Sequence, residues 1–239
     1  MIAAPGSAHA GRTFYGWLYG TEVMPERGAE LMTWVAEENG KNHEANASQT
    51  SWWIGPLIGI TDQLELALPV EMSWGASDIP GSAHTSFDKF GVELRYRFVT
   101  QDPVDAPPLV PLLRVAVKRL VLARDTIRPE VDFVTSYQTG AVHALVDLGM
   151  IAEINGDSHQ FEFHPGAGVS IAAVGDLRLG AEVFAEIALD GLSSQSGESW
   201  AIAGPNLAWS HGRTWISATY GIGIYHISDA PKVQWGIAF

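Results

Sequence analysis

Cysteine is absent from the 239-residue chain, so no disulfide framework holds the fold. Long apolar runs are also missing. No stretch approaches the ~18 consecutive apolar residues of a membrane-spanning helix, which excludes a helical membrane protein. Basic residues are few, with 14 Lys and Arg against 27 Asp and Glu and a formal net charge of −13. This balance repels phosphate and argues against nucleic acid as a partner. The residues that are present, 46% of them apolar, with 9 tryptophans and 25 glycines, exclude disorder and supply a core.

The C-terminal residues 231–239 alternate between two kinds of side chain. Val233, Trp235, Ile237 and Phe239 are apolar, and polar or small residues lie between them. A period of two is typical of a strand with two different faces. The chain then ends on an aromatic residue, and this pattern resembles the closing strand of bacterial outer-membrane β-barrels. The resemblance implies that the barrel-assembly machinery recognises Trp235, Ile237 and Phe239.

The same alternation recurs along the body of the chain, where apolar positions alternate with charged, glycine or serine positions. Segments of about ten such residues separated by turns are typical of transmembrane barrels. We therefore predict an all-β fold, a closed antiparallel transmembrane β-barrel of about 12 strands. A soluble β-sandwich, with the apolar rows inside, is the alternative. The predicted strands are 29–37, 49–59, 64–74, 87–99, 109–121, 126–137, 140–153, 159–173, 177–189, 199–209, 213–225 and 231–239.

The connections between predicted strands alternate in length. Tight turns follow the even-numbered strands and longer polar links follow most of the odd-numbered ones, as at the periplasmic and extracellular ends of such barrels. Two links break this rule: 101–108 is long, and the link at 124–125 is short. We expect one barrel domain over 11–239, preceded by a signal-peptide remnant or disordered tail over 1–10 that contains Ala8-His9-Ala10.

The segment 14–22 fits no predicted strand. It is interpreted as a periplasmic approach, a plug inside the lumen or an extra strand, and a position in or near the periplasmic mouth is favoured.

Assigning faces by alternation places two groups of charge inside the barrel. The basic arc is Arg95, Arg97, Arg114 and Lys118. The acidic arc is Glu130, Asp132, Asp147, Glu162, Glu182 and Glu186, with Glu153 among the further acids. Either the arcs face each other across water and set up a transverse field, or they pair directly and fill the lumen. A twelve-stranded lumen is intermediate between filled and open barrels, and a narrow channel is slightly favoured over a plugged barrel.

Six tryptophans fall near predicted strand ends, where barrels carry aromatic girdles at the two membrane interfaces. We predict membrane-interface positions for Trp52, Trp53, Trp74, Trp200, Trp209 and Trp215.

Enzyme and cofactor signals are weak. Ser136 with His143, and Ser158 with His159, are the only pairs that suggest a lipid-modifying hydrolase, and neither has a third orienting group at a recognisable spacing. No closely spaced His, Asp or Glu set predicts a metal site. The Gly166-Ala167-Gly168 run has no following helix and predicts no phosphate loop. We expect no enzyme activity, no metal and no cofactor, with a lipid-modifying enzyme as the least favoured alternative.

The stretch Gly59-Ile60-Thr61-Asp62-Gln63-Leu64-Glu65-Leu66, continuing through Val70, resembles a hairpin of uncharacterised bacterial outer-membrane transporters associated with phenol degradation (MetA-pathway-like). The stretch 25–30 is similar to the start of their first strand. The resemblance implies a Gram-negative outer-membrane barrel that contacts lipid and lipopolysaccharide. It carries over no catalytic or ligand residues. The predicted function is a narrow, porin-like channel or passive transporter for small solutes, and the alternative is a plugged structural or adhesive barrel.

Overall fold

The computed structural model describes residues 13–41, 47–76, 84–101, 107–156, 158–190 and 199–239, together with the backbone of 193–194. The predicted tail 1–10 lies outside these residues. The described chain contains no helix long and apolar enough to span a membrane. Its strands are β1 (Ala29–Asn39), β2 (Ser48–Gly59), β3 (Leu64–Ala67), β4 (Val70–Ala76), β5 (His84–Arg97), β6 (Leu109–Leu120), β7 (Thr126–Thr139), β8 (Val142–Asn155), β9 (Ser158–Val174), β10 (Leu177–Asp190), β11 (Ser193–Ser194), β12 (Trp200–His211), β13 (Thr214–Tyr225) and β14 (Asp229–Ala238).

The strands form one closed antiparallel sheet. β1 pairs with β2 on one side and with β14 on the other, with Thr33 opposite Trp235 in the closing pair. β3 and β4 both pair with β2 and β5, so they are two pieces of a single wall strand. They are separated by Leu68 and Pro69, and proline has no N–H for a ladder. The two-residue β11 pairs with β10 and adds no strand to the wall among the described residues. The wall therefore has twelve strands, which confirms the predicted barrel and its strand number.

Three tight turns with the same geometry lie at one end of the barrel. Gly140, Gly175 and Gly212 each begin a two-residue hairpin turn with positive φ angles of 54°, 55° and 58°. Turns of this kind match the twist of the flanking strands, and glycine adopts positive φ at little cost. We call this the turn end and the opposite one the loop end. The link between β5 and β6 lies at the turn end but is long. It is the exception that the sequence analysis identified at 101–108.

Apolar side chains cover the outside of the wall and charged side chains line the inside. Along β5, Leu94 and Tyr96 are 44% and 41% exposed, whereas Arg95 and Arg97 between and beyond them are 3% and 4% exposed. This is the reverse of a water-soluble protein, in which large exposed apolar surfaces are rare. The outer surface is suited to acyl chains, and closing the sheet leaves no strand edge unpaired in lipid. The soluble-sandwich alternative is therefore wrong.

Residues 13–28, which we call the plug, lie inside the barrel. They form no strand, and Tyr15 and Leu18 are almost completely buried. The plug begins near the turn end, reaches inward with Trp17 and Tyr19, and returns to the turn end, where Arg27 N–H donates to Gly59 O (3.1 Å) before β1 starts. Of the three interpretations of this segment, the lumen plug is the observed one. The segment extends deeper than the periplasmic mouth because the lumen offers it apolar and hydrogen-bonding partners.

Candidate functional site

The structure places all ten residues of the predicted basic and acidic arcs on inward-facing strand positions. The four bases lie on β5 and β6, and the six acids on β7, β8, β9 and β10. Their positions follow from the period of two, because every second residue of a wall strand points into the lumen. Their pairing depends on the register between strands.

Arg114 is the centre of a buried ion-pair network. Its guanidinium donates to Asp132 Oδ2 (2.5 Å), Glu93 Oε2 (2.7 Å) and Glu130 Oε2 (2.8 Å), and it is 1% exposed. The register places Arg114 beside Asp132 on β7. Charge-assisted bonds of this kind are the strong ones, and three acceptors around one guanidinium satisfy most of its donors.

Lys118 extends the network toward the loop end. Its ammonium lies 2.7 Å from Glu71 Oε1 and 3.0 Å from Glu130 Oε1. Glu130 is on the adjacent strand β7, and Glu71 is on β4, on the far side of β5. Opposite charges of neighbouring parts of the wall are therefore in direct contact. The hypothesis that the arcs face each other across water is wrong for Arg114 and Lys118, because each of these bases is in direct contact with carboxylates.

Three other inward carboxylates bind the backbone of the plug. Glu182 accepts from the N–H of Gly16 (Oε1, 2.7 Å) and of Trp17 (Oε2, 3.1 Å). Asp147 Oδ2 accepts from Tyr19 N–H (2.9 Å), and Glu65 Oε2 accepts from Met24 N–H (2.7 Å). Because the plug has no regular secondary structure, its buried backbone groups need such partners. These acids are anchors for the plug.

The plug also accepts hydrogen bonds from the wall. Gln234 Nε2 donates to Tyr15 O (2.6 Å) and Gly16 O (3.0 Å), and Ser217 Oγ donates to Tyr15 O (3.0 Å). Thr21 and Ser136 share a hydrogen bond between their hydroxyls (2.6 Å). The contacts come from strands all around the barrel, so the plug spans the lumen and is not held against one side.

The two aromatic residues at the inner end of the plug form a floor across the lumen. Trp17 stacks on Phe184 with ring centroids 5.2 Å apart and contacts Trp200 edge-on at 5.4 Å. The Arg114 guanidinium lies 4.1 Å from the centre of the Tyr19 ring. Beside the plug at this level, a gap measures about 10 Å³, about the room for one water.

Above this floor, a charged cavity of about 260 Å³ opens toward the loop end. We call it the vestibule. Its wall includes Lys41, whose ammonium contacts Glu186 Oε1 (3.1 Å) and Glu38 Oε2 (3.0 Å). Burial by itself lowers the pKa of Lys41, but these carboxylates outweigh burial and raise the pKa above its ordinary value. Lys41 therefore stays charged at any physiological pH.

Glu162, His164 and Glu186 meet in the vestibule, where one ligand atom of each lies within 4.8 Å of the others. The sequence indicates no such set because the residues come from the adjacent strands β9 and β10. Glu162 accepts from Arg128 (3.0 Å), as Glu186 does from Lys41. Both carboxylates are thus already compensated by bases.

The prediction of membrane-interface tryptophans is wrong for half of the set. Consecutive residues of a strand point to opposite faces, so Trp52 and Trp53 cannot share one. The inward tryptophans pack in two apolar clusters that also contain plug residues, one with Leu18 and one with Met24. The tryptophans that are buried inside are Trp53, Trp200 and Trp215. Those that lie on the outer face are Trp52, Trp74 and Trp209, and for them an interface position stays a prediction.

The sequence contains one signal that could have predicted a plug: apolar residues at strand positions that point into the lumen. Leu112, Val134 and Leu145 are buried inside the barrel and belong to the cluster that holds Leu18. Each is next to an outward apolar residue, so the alternation fails locally at these sites. A lumen filled only with water would not favour such residues.

The predicted assembly residues lie on the closing strand, and the candidate catalytic pair lies inside the barrel. Trp235 and Ile237 point outward on β14, and Phe239 N–H donates to Ala29 O (2.8 Å). Ser136 and His143 are both buried, and both contact the plug: Ser136 through Thr21, and His143 Nδ1 through the Tyr15 hydroxyl (3.1 Å).

No protein-family model matches the sequence, and no curated protein matches it. Solved structures match the fold. An outer membrane channel from Pseudomonas putida F1 aligns with a TM-score of 0.62 and 9% identity, over 92% of this chain and 98% of that one. The β domain of the Bordetella autotransporter Brka aligns with a TM-score of 0.55 and 10% identity, over 90% and 100%. The NanC porin aligns with a TM-score of 0.53 and 10% identity, over 87% of this chain and 98% of that one. At such identities the shared property is the fold, and this chain has the closed-barrel fold of bacterial outer-membrane proteins.

Proposed function

We propose that this protein is a channel for small solutes in the outer membrane of a Gram-negative bacterium, and that the plug closes it in the conformation described. The observation that carries the proposal is the charged vestibule that ends on Trp17 and Tyr19. The contacts between plug and wall are hydrogen bonds, side-chain packing and an ion pair of Glu22 with Arg97 (2.6 Å), without strand pairing. The plug can therefore leave the lumen without breaking the sheet.

The chemistry of the wall behind the plug supports a lumen that can fill with water. Glu65, Asp147 and Glu182 bind the plug through carboxylates, which hydrate readily when the plug moves away. A barrel filled only for stability gains little from buried charge, because apolar replacements of buried ion pairs are often neutral or stabilising. The polar interior thus favours passage over a permanently filled core.

The filled lumen itself favours a second candidate, a plugged structural or adhesive barrel without transport. A lipid-modifying enzyme is less supported, because both members of its candidate pair, Ser136 and His143, contact the plug inside the barrel. Recognition of Trp235, Ile237 and Phe239 by the barrel-assembly machinery is part of the proposal. So is contact of the outer face with lipid and lipopolysaccharide.

A reversible lock on the plug tests the channel. Thr21 Oγ1 and Ser136 Oγ are 2.6 Å apart, so Thr21→Cys with Ser136→Cys places two thiols within reach of a disulfide. The chain has no other cysteine. In planar bilayers we expect the oxidised variant to show fewer and smaller current steps, and we expect a reductant to restore them.

A matched control ties two wall strands and leaves the plug free. Ser73 Oγ and Ser86 Oγ are 2.9 Å apart on β4 and β5, and Ser73→Cys with Ser86→Cys should show no redox dependence of the current. Equal currents from the oxidised and reduced plug lock would contradict gating by the plug. No current from the reduced lock, the wild type or a variant that lacks 13–24 would support the structural barrel instead.

A further inference from the structure

Lys232 on β14 is a vestibule base with an unusual environment. Its ammonium lies 4.7 Å from the centre of the Trp17 ring and 4.4 Å from that of Trp34. Among the residues that the structure describes, no carboxylate lies within 4 Å of it. Cation–π contacts of this type contribute about 2 kcal/mol when desolvated, which compensates only part of the cost of burying a charge.

The other vestibule bases are all paired. Lys41 contacts Glu186, and Lys89 contacts Glu71 (3.1 Å). Lys118 and Arg128 likewise contact carboxylates. Lys232 is therefore the vestibule base that is suited to accept an anionic group from outside the protein.

A second vestibule residue lacks a partner for one of its atoms. Asp147 is 3% exposed and lines the vestibule, and its Oδ2 accepts from Tyr19 N–H. Its other oxygen, Oδ1, is buried and has no hydrogen-bond partner among the described residues. Buried acceptors of this kind are rare and call for a ligand or an ordered water.

The balance of charge around the vestibule limits what can bind there. Its lining contains seven acidic and five basic side chains besides His164. A simple anion attracted by Lys232 would be repelled by the surplus of acidic side chains. A solute that also carries a cationic group would be attracted both by Lys232 and by these acids. The cavity of about 260 Å³ is smaller than the ~300–1,000 Å³ of sites for drug-sized ligands, so the solute is small.

We infer that the vestibule binds small zwitterionic solutes of the amino-acid type. The carboxylate lies at Lys232, the ammonium donates to Asp147 Oδ1, and the apolar part lies against the rings of Trp17 and Trp34. The inference names the substrate class of the proposed channel and so rests on that proposal. Solute binding in the vestibule can nevertheless be measured without transport, so an experiment can contradict the binding site and the channel independently.

Calorimetric titration of the detergent-refolded full chain tests the inference with three probes of similar shape. L-leucine carries both charges, 4-methylpentanoate lacks the ammonium, and 3-methylbutylamine lacks the carboxylate. We expect leucine to bind at least tenfold more tightly than either, because each lost charge-assisted hydrogen bond weakens binding by about that factor or more. Equal affinities for leucine and 4-methylpentanoate, or no binding of leucine, would overturn the inference.

Variants locate the site. Lys232→Met keeps the length of the side chain and should weaken leucine binding at least tenfold, and Lys232→Arg should restore most of it. Lys89→Met is the matched control, since Lys89 lines the same cavity but is paired with Glu71. An equal loss of affinity in Lys232→Met and Lys89→Met would show a general effect of charge and refute the assignment. Leucine binding without single-channel current would support the site and contradict the channel.

Discussion

Glu182 is the wall residue whose removal should open the barrel most directly. Its two carboxylate oxygens accept from two consecutive plug amides, Gly16 and Trp17, at 2.7 and 3.1 Å. It also accepts from the hydroxyl of Thr219. The bond with Thr219 joins two wall residues, so replacing Glu182 by alanine removes it from the open and the closed state equally. Of the bonds that Glu182 makes, only the two with plug amides distinguish the states, and the Gly16 N–H keeps a second acceptor in Thr219 Oγ1 (3.1 Å).

The magnitude follows from those two bonds. A hydrogen bond to a charged group contributes about 1.5–3 kcal/mol. Two such bonds at the lower figure destabilise the closed state of Glu182→Ala by about 3 kcal/mol. Since 1.4 kcal/mol is a factor of ten in an equilibrium constant, the open-to-closed ratio should rise about a hundredfold. Water that enters the vacated space reduces the effect, so the lower figure is the appropriate one.

Single-channel recording in planar bilayers measures this ratio as open probability. The matched control is Glu162→Ala, which removes an inward acid of the neighbouring strand whose partner is Arg128. We expect the control to change open probability far less. An unchanged open probability in Glu182→Ala, or an equal rise in Glu162→Ala, would refute the role of Glu182 as an anchor of the plug.

Three other changes have defined outcomes. Arg114→Met leaves three buried carboxylates without their shared partner and should lower the free energy of unfolding by about 3–5 kcal/mol, as measured by urea titration in detergent micelles; a loss no larger than that of Lys89→Met would contradict the network. Gly168→Val puts a side chain where the Tyr15 ring lies, so it should displace the plug and raise open probability while the heat-modifiable gel shift of the folded barrel persists. Phe239→Ala should reduce the amount of assembled protein in the outer membrane of cells but not its refolding in detergent, and an equal loss in both would indicate a role in stability.

Much of the wall was predictable from the sequence, and for one reason. In a strand, the side-chain direction depends only on the parity of the position, so alternation along β5 is sufficient to place Leu94 outside and Arg95 inside. The same rule separates Trp52 from Trp53, although the girdle prediction placed both at the membrane interface. That prediction followed the aromatic type and strand-end position and neglected parity.

The pairing of the charges was not predictable in the same way. Arg114 and Asp132 are 18 residues apart in sequence and are brought together by the register of β6 and β7. Alternation restricts each to the lumen but does not align one strand with the next. The grouping of inward charges into two arcs was therefore compatible both with a field across water and with direct contact.

The sequence alone determined that this chain forms a closed barrel with apolar side chains outside and charged side chains inside, because parity and turn residues act locally. Only the tertiary structure decided that the plug fills the lumen, that Asp147 and Glu182 bind its backbone, and that Lys232 lies between two tryptophan rings. Asp147 and Glu182 are each more than a hundred positions away in sequence from the plug residues that they bind. Their existence depends on how twelve strands close around a segment with no regular pattern of its own.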